Sequence, residues 1–348
     1  MGSRNRLLKE FGRVRPSVSP VWGAAFLLVL LFCISFSLGR YPVSLGDLFR
    51  VLLSLPLGGD GGVPPMVRSV VLKVRIPRVC AAVLMGGALS VSGAVYQGLF
   101  RNPMVSPDIL GASAGAGFGA ALGILLSFGP LGVRLTSFLL GVAAVAFAYL
   151  ISRGASQGAG RTLVLVLCGM VVQSLFTALT SAVKFVADPN SQLPEITFWL
   201  MGGLSGVRVQ SVPWVLVPLL VGGTALFALR WHLDVMTMGD DEAAAMGVDV
   251  RRTRLAVVLA ATLMTSAAVS VAGMVGWVGL IVPHMSRFLV GPDHRVLVPA
   301  SALLGASFLV VVDDVCRSVY TTEIPLSILT SLIEAPLFVY LVSRRGRA

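Results

Sequence analysis

Apolar runs of about 20 residues recur ten times along this chain, near 20–39, 78–100, 108–127, 131–152, 162–187, 211–229, 254–274, 276–290, 297–315 and 325–342. About 20 apolar residues is the length a helix needs to cross the hydrocarbon core of a bilayer. No water is available there to satisfy the backbone, so a spanning segment must close its own hydrogen bonds as a helix or within a closed barrel. Continuous apolar runs, without strict alternation, select the helix. Composition makes the same demand, because 56% of the residues are hydrophobic and only 12% are charged. A water-soluble chain of this size has no interior large enough for that much apolar surface. The expectation is an all-α polytopic membrane protein of about ten spans, one transmembrane domain over residues 1–348. The third and eighth runs are short and carry Gly or Pro, so their ends are the least defined.

Charge sets the orientation. The first run follows a basic segment (Arg4, Arg6, Lys9, Arg13, Arg15) but lacks a small-x-small cleavage site, and many more spans follow it, so it reads as a retained first helix. With an even number of spans both termini lie on one side. Placing them in the cytoplasm puts most of the Lys and Arg inside, including Arg251, Arg252, Arg254 and the C-terminal Arg344, Arg345 and Arg347. This gives a cytoplasmic segment 1–19, an outer loop 40–77 and a cytoplasmic loop 230–253. The outer stretch strains the count, since Arg40, Arg50, Arg68, Lys73, Arg75 and Arg78 cluster there. The net charge of +11 does not point to nucleic acid, because the basic residues are scattered between apolar runs. Cys33, Cys80, Cys168 and Cys316 form no C-x-x-C or His/Cys cluster, so neither a disulfide framework nor a metal site is expected.

A pattern repeats within the chain. Ala88, Ser90, Val91, Gly93 and Val95, with Pro103 beyond, recur as Ala268, Ser270, Val271, Gly273 and Val275 with Pro283, an offset of 180 residues. Five spans separate the copies, so they run in opposite directions, as in inverted-repeat transporters.

Three segments stand out by their chemistry. Between the second and third runs lies Arg101-Asn102-Pro103-Met104-Val105-Ser106-Pro107-Asp108, where Ser106 suits a cap, Pro107 a first helical position and Asp108 the positive helix end. Gly111, Gly115, Gly119 and Gly123 follow at intervals of four, a stripe that favours close helix packing. The loop 230–254 holds Gly239-Asp240-Asp241-Glu242-Ala243-Ala244-Ala245-Met246-Gly247, which reads as a short amphipathic helix suited to another protein's groove, or as a solvated loop. The third segment is the last run, where Glu334 lies within the span. Such a carboxylate is costly unless it is paired or faces a wet cavity. Asp313 and Asp314 lie near an outer helix end, with Arg317 as a local partner. There is no G-x-x-x-x-G-K-[ST], so this chain does not cradle nucleotide phosphates in a P-loop.

Taken together, these motifs resemble the FecCD-type permease family, the membrane subunits of type II ATP-binding-cassette importers for siderophores, haem and vitamin B12. The resemblance runs from Val74 to Arg345. It is carried by Arg75-Ile-Pro-Arg78, Gly93 to Pro103 with Gln97, Pro107 to Gly111, Phe198 to Gly203, Gly239 to Val248, Gly279 to His284, Gly291 to Arg295 and Glu323-Ile-Pro325.

The resemblance implies a homodimer of ten-helix subunits in the inner membrane, with two ATPase subunits below and a substrate-binding protein above. It implies no catalytic residue and no cofactor in this chain, ATP and Mg being held by the partner. Gly239, Asp240, Asp241, Glu242, Ala245, Met246 and Gly247 would couple to the ATPase. Arg75, Arg78 and Arg317 would dock the binding protein. Gln173, Ser174, Thr177 and Ser181 would face the pathway, lined by spans five and ten, with an inner gate at Asn102, Pro103 and Met104 and near Gly160 and Thr162. Two departures stand: Glu334 where the family has glycine, and Val105 with Ser106 as in molybdate-type members. A molybdate-type oxyanion importer, or an ion-coupled carrier using Glu334, are the alternatives.

Overall fold

The computed structural model describes residues 19–39, 41, 43–54, 62–155, 161–320 and 322–345. Every regular element among them is helical: α1 (Ser19–Ser37), α2 (Leu45–Ser54), α3 (Pro65–Val70), α4 (Ile76–Leu99), α5 (Ala112–Leu125), α6 (Pro130–Ala155), α7 (Arg161–Val186), α8 (Gln192–Met201), α9 (Val212–Ala228), α10 (Arg230–Met236), α11 (Asp240–Ala245), α12 (Val250–Ala272), α13 (Val278–Val290), α14 (His294–Ser318) and α15 (Leu326–Arg345). Among the described residues, seven spans are long and apolar enough to cross a membrane: α1, the continuous stretch Pro65–Leu99, α6, α7, α9, α12 and α14. Three shorter apolar helices, Ala112–Leu125, Val278–Val290 and Leu326–Leu337, occupy the other expected positions.

The largest revision concerns the second span. It begins at Pro65 rather than near 78, because a π-helical turn, Val71–Arg75, joins α3 to α4 without a break. Pro65 supplies the fixed φ of a first helical position. Hydropathy hides the extension, since Arg68, Lys73 and Arg75 interrupt the apolar run. Part of the expected outer loop 40–77 is therefore helical. The third span is shorter than expected: a 3₁₀ turn, Pro107–Leu110, precedes α5, and Gly111 breaks the chain at φ +87°.

Burial separates a centre from a rim. The windows in Pro65–Leu99, α12 and α14 are 83%, 72% and 67% buried, whereas those in α1 and α7 are 17% buried. The centre is dense because small residues let backbones meet. A Cβ on Gly86 would lie 2.2 Å from the carbonyl oxygen of Gly305, and one on Gly93 only 1.7 Å from that of Gly279. Interhelical attraction in lipid comes from such close packing, since burial of apolar side chains gives little advantage over lipid contact. The glycine stripe of α5 has the same use, seating against Leu140 and Thr136 of α6.

Helix lengths recur in order, though not at the expected offset, and the starts of α4 and α12 lie 174 residues apart. Helices α4 to α7 have 24, 14, 26 and 26 residues, and α12 to α15 have 23, 13, 25 and 20. The starts 112 and 278, 130 and 294, 161 and 326 differ by 166, 164 and 165. The expected offset of 180 instead pairs Gly93, inside α4, with Gly273, which ends α12 at φ +72°. Small-residue strings recur wherever helices pack closely, so their alignment need not follow structural equivalence.

Candidate functional site

At the expected outer end, the basic residues turn inward. Arg75, Arg78 and Arg317 are 3%, 5% and 6% exposed. Arg78 grips Asp313 with Nε at 3.0 and 3.1 Å and Nη2 at 2.9 Å, and donates through Nη1 to Glu323 at 2.8 Å. Arg317 donates to Asp314 Oδ1 at 2.5 Å and to the Ser35 hydroxyl and carbonyl. The Ser35 hydroxyl in turn donates to Asp314 at 2.6 Å. Arg75 donates to the carbonyls of Phe36 and Tyr41. The guanidiniums therefore tie α1, α4, α14 and the segment before α15 together. The three arginines expected to face outward for docking are thus enclosed by carboxylates and carbonyls of the same chain. Arg317 was expected to pair locally, and does so with Asp314. The deeper partnership of Arg78 with Asp313, 235 positions away, needed the fold to bring it about.

The expected inner gate lies in the turn after α4. Asn102 and Met104 are exposed and Pro103 is half-buried. The Asn102 carboxamide accepts from the Met104 backbone at 2.9 Å, which holds the turn. Thr162 is half-buried at the start of α7, and Gly160 lies outside the described residues. Gln173, Ser174, Thr177 and Ser181 are exposed along α7. The last two direct their hydroxyls to their own helix, Thr177 to the Gln173 carbonyl and Ser181 to that of Thr177. Glu334 belongs to α15, and its side chain lies outside the described residues.

Sequence reasoning gave Gln97 only as part of a motif and assigned it no role, yet it holds the turn after α4. Gln97, 2% exposed, donates from Nε2 to the carbonyls of Val105 and Leu280 at 3.2 and 3.0 Å. Its Oε1 accepts from Arg287 at 2.7 Å. A carboxamide near the end of an apolar helix was the available signal, because a buried amide persists only where all its groups find partners.

The polar loop forms α10 and α11. Asp240, Asp241 and Glu242 occupy the first turn of α11, where their charge suits the helix dipole. The helix stops at Ala245, and Gly247 turns away at φ +85°. Ala243 and Val248 anchor the unit, and Asp240 is bound by Arg254 of α12 at 2.7 and 2.9 Å. Asp241, Glu242, Ala245 and Met246 project outward, Met246 being 51% exposed. On the preceding helix, Asp234 accepts from both the backbone N–H and Nδ1 of His294, at 2.9 and 2.6 Å. Burial works against the Asp234 charge, but the hydrogen bonds from His294 outweigh it and hold the carboxyl below the usual carboxylate range.

The chain matches the FecCD transport family over residues 27–344. It is 37% identical to the molybdate import system permease protein MolB of Haemophilus influenzae, over 94% of this chain and 96% of the relative. It is 42% identical to the cobalamin import system permease protein BtuC of Halobacterium salinarum, over 82% of this chain and 76% of the relative. The hemin transport system permease protein HmuU of Yersinia pestis is 33% identical over 96% and 98% of the two chains. Among solved structures, an inward-facing metal-chelate type ABC transporter superposes with a TM-score of 0.84 at 36% identity, covering 94% of this chain and all of the other. A multi-pass helical membrane chain with this match over nearly its whole length is a permease that belongs to the FecCD transport family.

Proposed function

We propose that the chain is the membrane subunit of an ATP-driven importer that carries a metal chelate of the siderophore, haem or cobalamin type across the inner membrane. The observation that carries this reading is the near-complete superposition on a metal-chelate type transporter. Two copies form the pathway, with both termini of each in the cytoplasm. A separate ATPase subunit engages each copy, and a substrate-binding protein delivers the cargo from outside. The exposed knob from Gly239 to Gly247 receives the ATPase stroke, for it is acidic, short and held to the body on one side only. The polar face of α7 at Gln173, Ser174 and Thr177 lines the pathway, and Asn102 to Met104, with Gly160 and Thr162, form its inner gate. The chain performs no chemistry on the cargo; nucleotide binding to the partner biases its outward- and inward-open states.

The test is uptake into vesicles containing this chain with the ATPase and binding protein encoded beside it. Ferric hydroxamate, haem and cobalamin are offered separately, and molybdate serves as the competing cargo. ATP-dependent accumulation of one chelate is expected. Accumulation of molybdate alone would transfer the chain to the oxyanion class. Accumulation by this chain alone, driven by an ion gradient, would eliminate the ATP-driven reading.

A further inference from the structure

The joint between α10 and α14 belongs to neither the exposed knob nor the gate, yet it lies between them. Asp234 sits four residues before Met238 and the knob, on a helix whose Leu233, Val235 and Met236 are buried. Its carboxylate holds the first residue of α14, His294, by backbone and ring at once. The His294 ring is 2% exposed, and its Nε2 is buried without a hydrogen-bond partner. Asp234 holds the ring by Nδ1 and so directs Nε2 into the packing beyond it.

What it presses against is the end of α4. A Cβ on Gly98 would lie 2.4 Å from His294 Nε2, so only glycine admits the ring at this position. The residue before Gly98 is Gln97, whose amide holds the Val105 carbonyl of the gate turn and the Leu280 carbonyl of α13. Arg287 of α13 closes the cluster on Gln97 Oε1 and the Ala94 carbonyl. A continuous set of contacts thus runs from α10 through Asp234 and His294 to Gly98 and Gln97, and from there to Val105.

We propose that Asp234, His294 and Gln97 are positioning residues that transmit displacement of the α10–α11 segment to the gate turn at Asn102–Val105. Asp240 and Arg254 provide a separate attachment, to α12, which meets α4 at Tyr96 through Val258 and Thr262. The Asp234 route differs in ending beside Gln97, whose amide holds the Val105 carbonyl directly. This inference rests on the coupling role proposed for the knob.

The experiment follows the gate rather than the cargo, so the identity of the chelate does not enter. The importer is assembled with its ATPase from a chain whose four free cysteines are replaced, carrying Met104→Cys at the 47% exposed gate position. The maleimide labelling rate is read with and without nucleotide. In the parent a nucleotide-dependent change in rate is expected. In Asp234→Ala and in Gln97→Ala that change should shrink by roughly 2- to 30-fold, the range found when members of a coupling network are removed. The double variant should lose no more than either single one, because both interrupt one route. Should Asp234→Ala fail to assemble, Asp234→Asn and His294→Gln take its place, each keeping part of the joint. A full nucleotide response in the single variants would overturn the relay, as would losses that add. A parent whose labelling ignores nucleotide would instead remove the coupling role of the knob, and the relay with it.

Discussion

At the scale of single residues, the buried charges decide most. Arg78 and Asp313 are held out of water together, and the penalty for enclosing each is offset mainly by the other, with Glu323 beside Arg78 and Arg317 3.9 Å from Asp313. Arg78→Ala leaves Asp313 enclosed without its main partner and should cost about 3–5 kcal/mol of stability. Replacing both by leucine removes two charges at once, and should recover most of the loss. Glu323, with 34% of its side chain exposed, can then turn to water. Thermal unfolding in detergent of the single and double variants checks this, and a double variant no better than Arg78→Ala would refute it. Gly93 offers a steric counterpart. The added methyl of Gly93→Ala would meet the Gly279 carbonyl, so α4 and α13 must separate. Overpacking of this kind costs typically about 1–3 kcal/mol, and should appear as a lower midpoint in the same assay. Which residue types are rare in lipid was readable from the chain. Arg78's partner was not, because Asp313 lies in a helix that only folding brings alongside.

At the scale of elements, α11 shows why a short helix can serve as a handle. Its apolar side is a single buried Ala243 with Val248 beyond, and its outer side carries Asp241 and Glu242. Asp241→Lys combined with Glu242→Lys changes the charge offered to a partner while leaving the attachment to Arg254 in place. The folded amount and melting point should stay close to the parent, and uptake per ATP hydrolysed should fall. Normal uptake by that double variant would end the coupling assignment. The sequence offered this helix and a solvated loop as alternatives, and the helix forms where three acids are followed by alanines and a glycine. The extension of α4 back to Pro65 was not. A helix end carrying Arg68, Lys73 and Arg75 reads as a loop until it is seen that Arg75 is satisfied from Phe36 and Tyr41.

At the scale of the whole molecule, the exposed face of α7 asks for a neighbour. Polar Gln173, Ser174, Thr177 and Ser181 share it with Val171 and Leu175, which are 67% and 46% exposed. Hydroxyls and amides facing lipid are costly, so a face of this mixed kind suits a second copy and the pathway between the two. Ser174→Cys in the cysteine-free background should cross-link two chains under mild oxidation. A product that remains monomeric in the assembled importer would exclude α7 from the dimer axis.

The sequence by itself determined the class of this protein, because runs of apolar residues permit only one solvent, and each spanning segment must be a helix there. It also placed the main apolar helices in order and marked the acidic segment at 239–247, since many helix starts and stops are written in neighbouring residues. Tertiary structure alone decided where the charges went. Of the arginines that a linear reading turned outward, Arg78 and Arg317 are bound by Asp313, Asp314 and Glu323 and Arg75 by backbone carbonyls, and Gln97 meets Arg287 across 190 positions. Partners of that kind are chosen by the crossing of helices, and no local pattern encodes which two distant side chains a crossing will bring together.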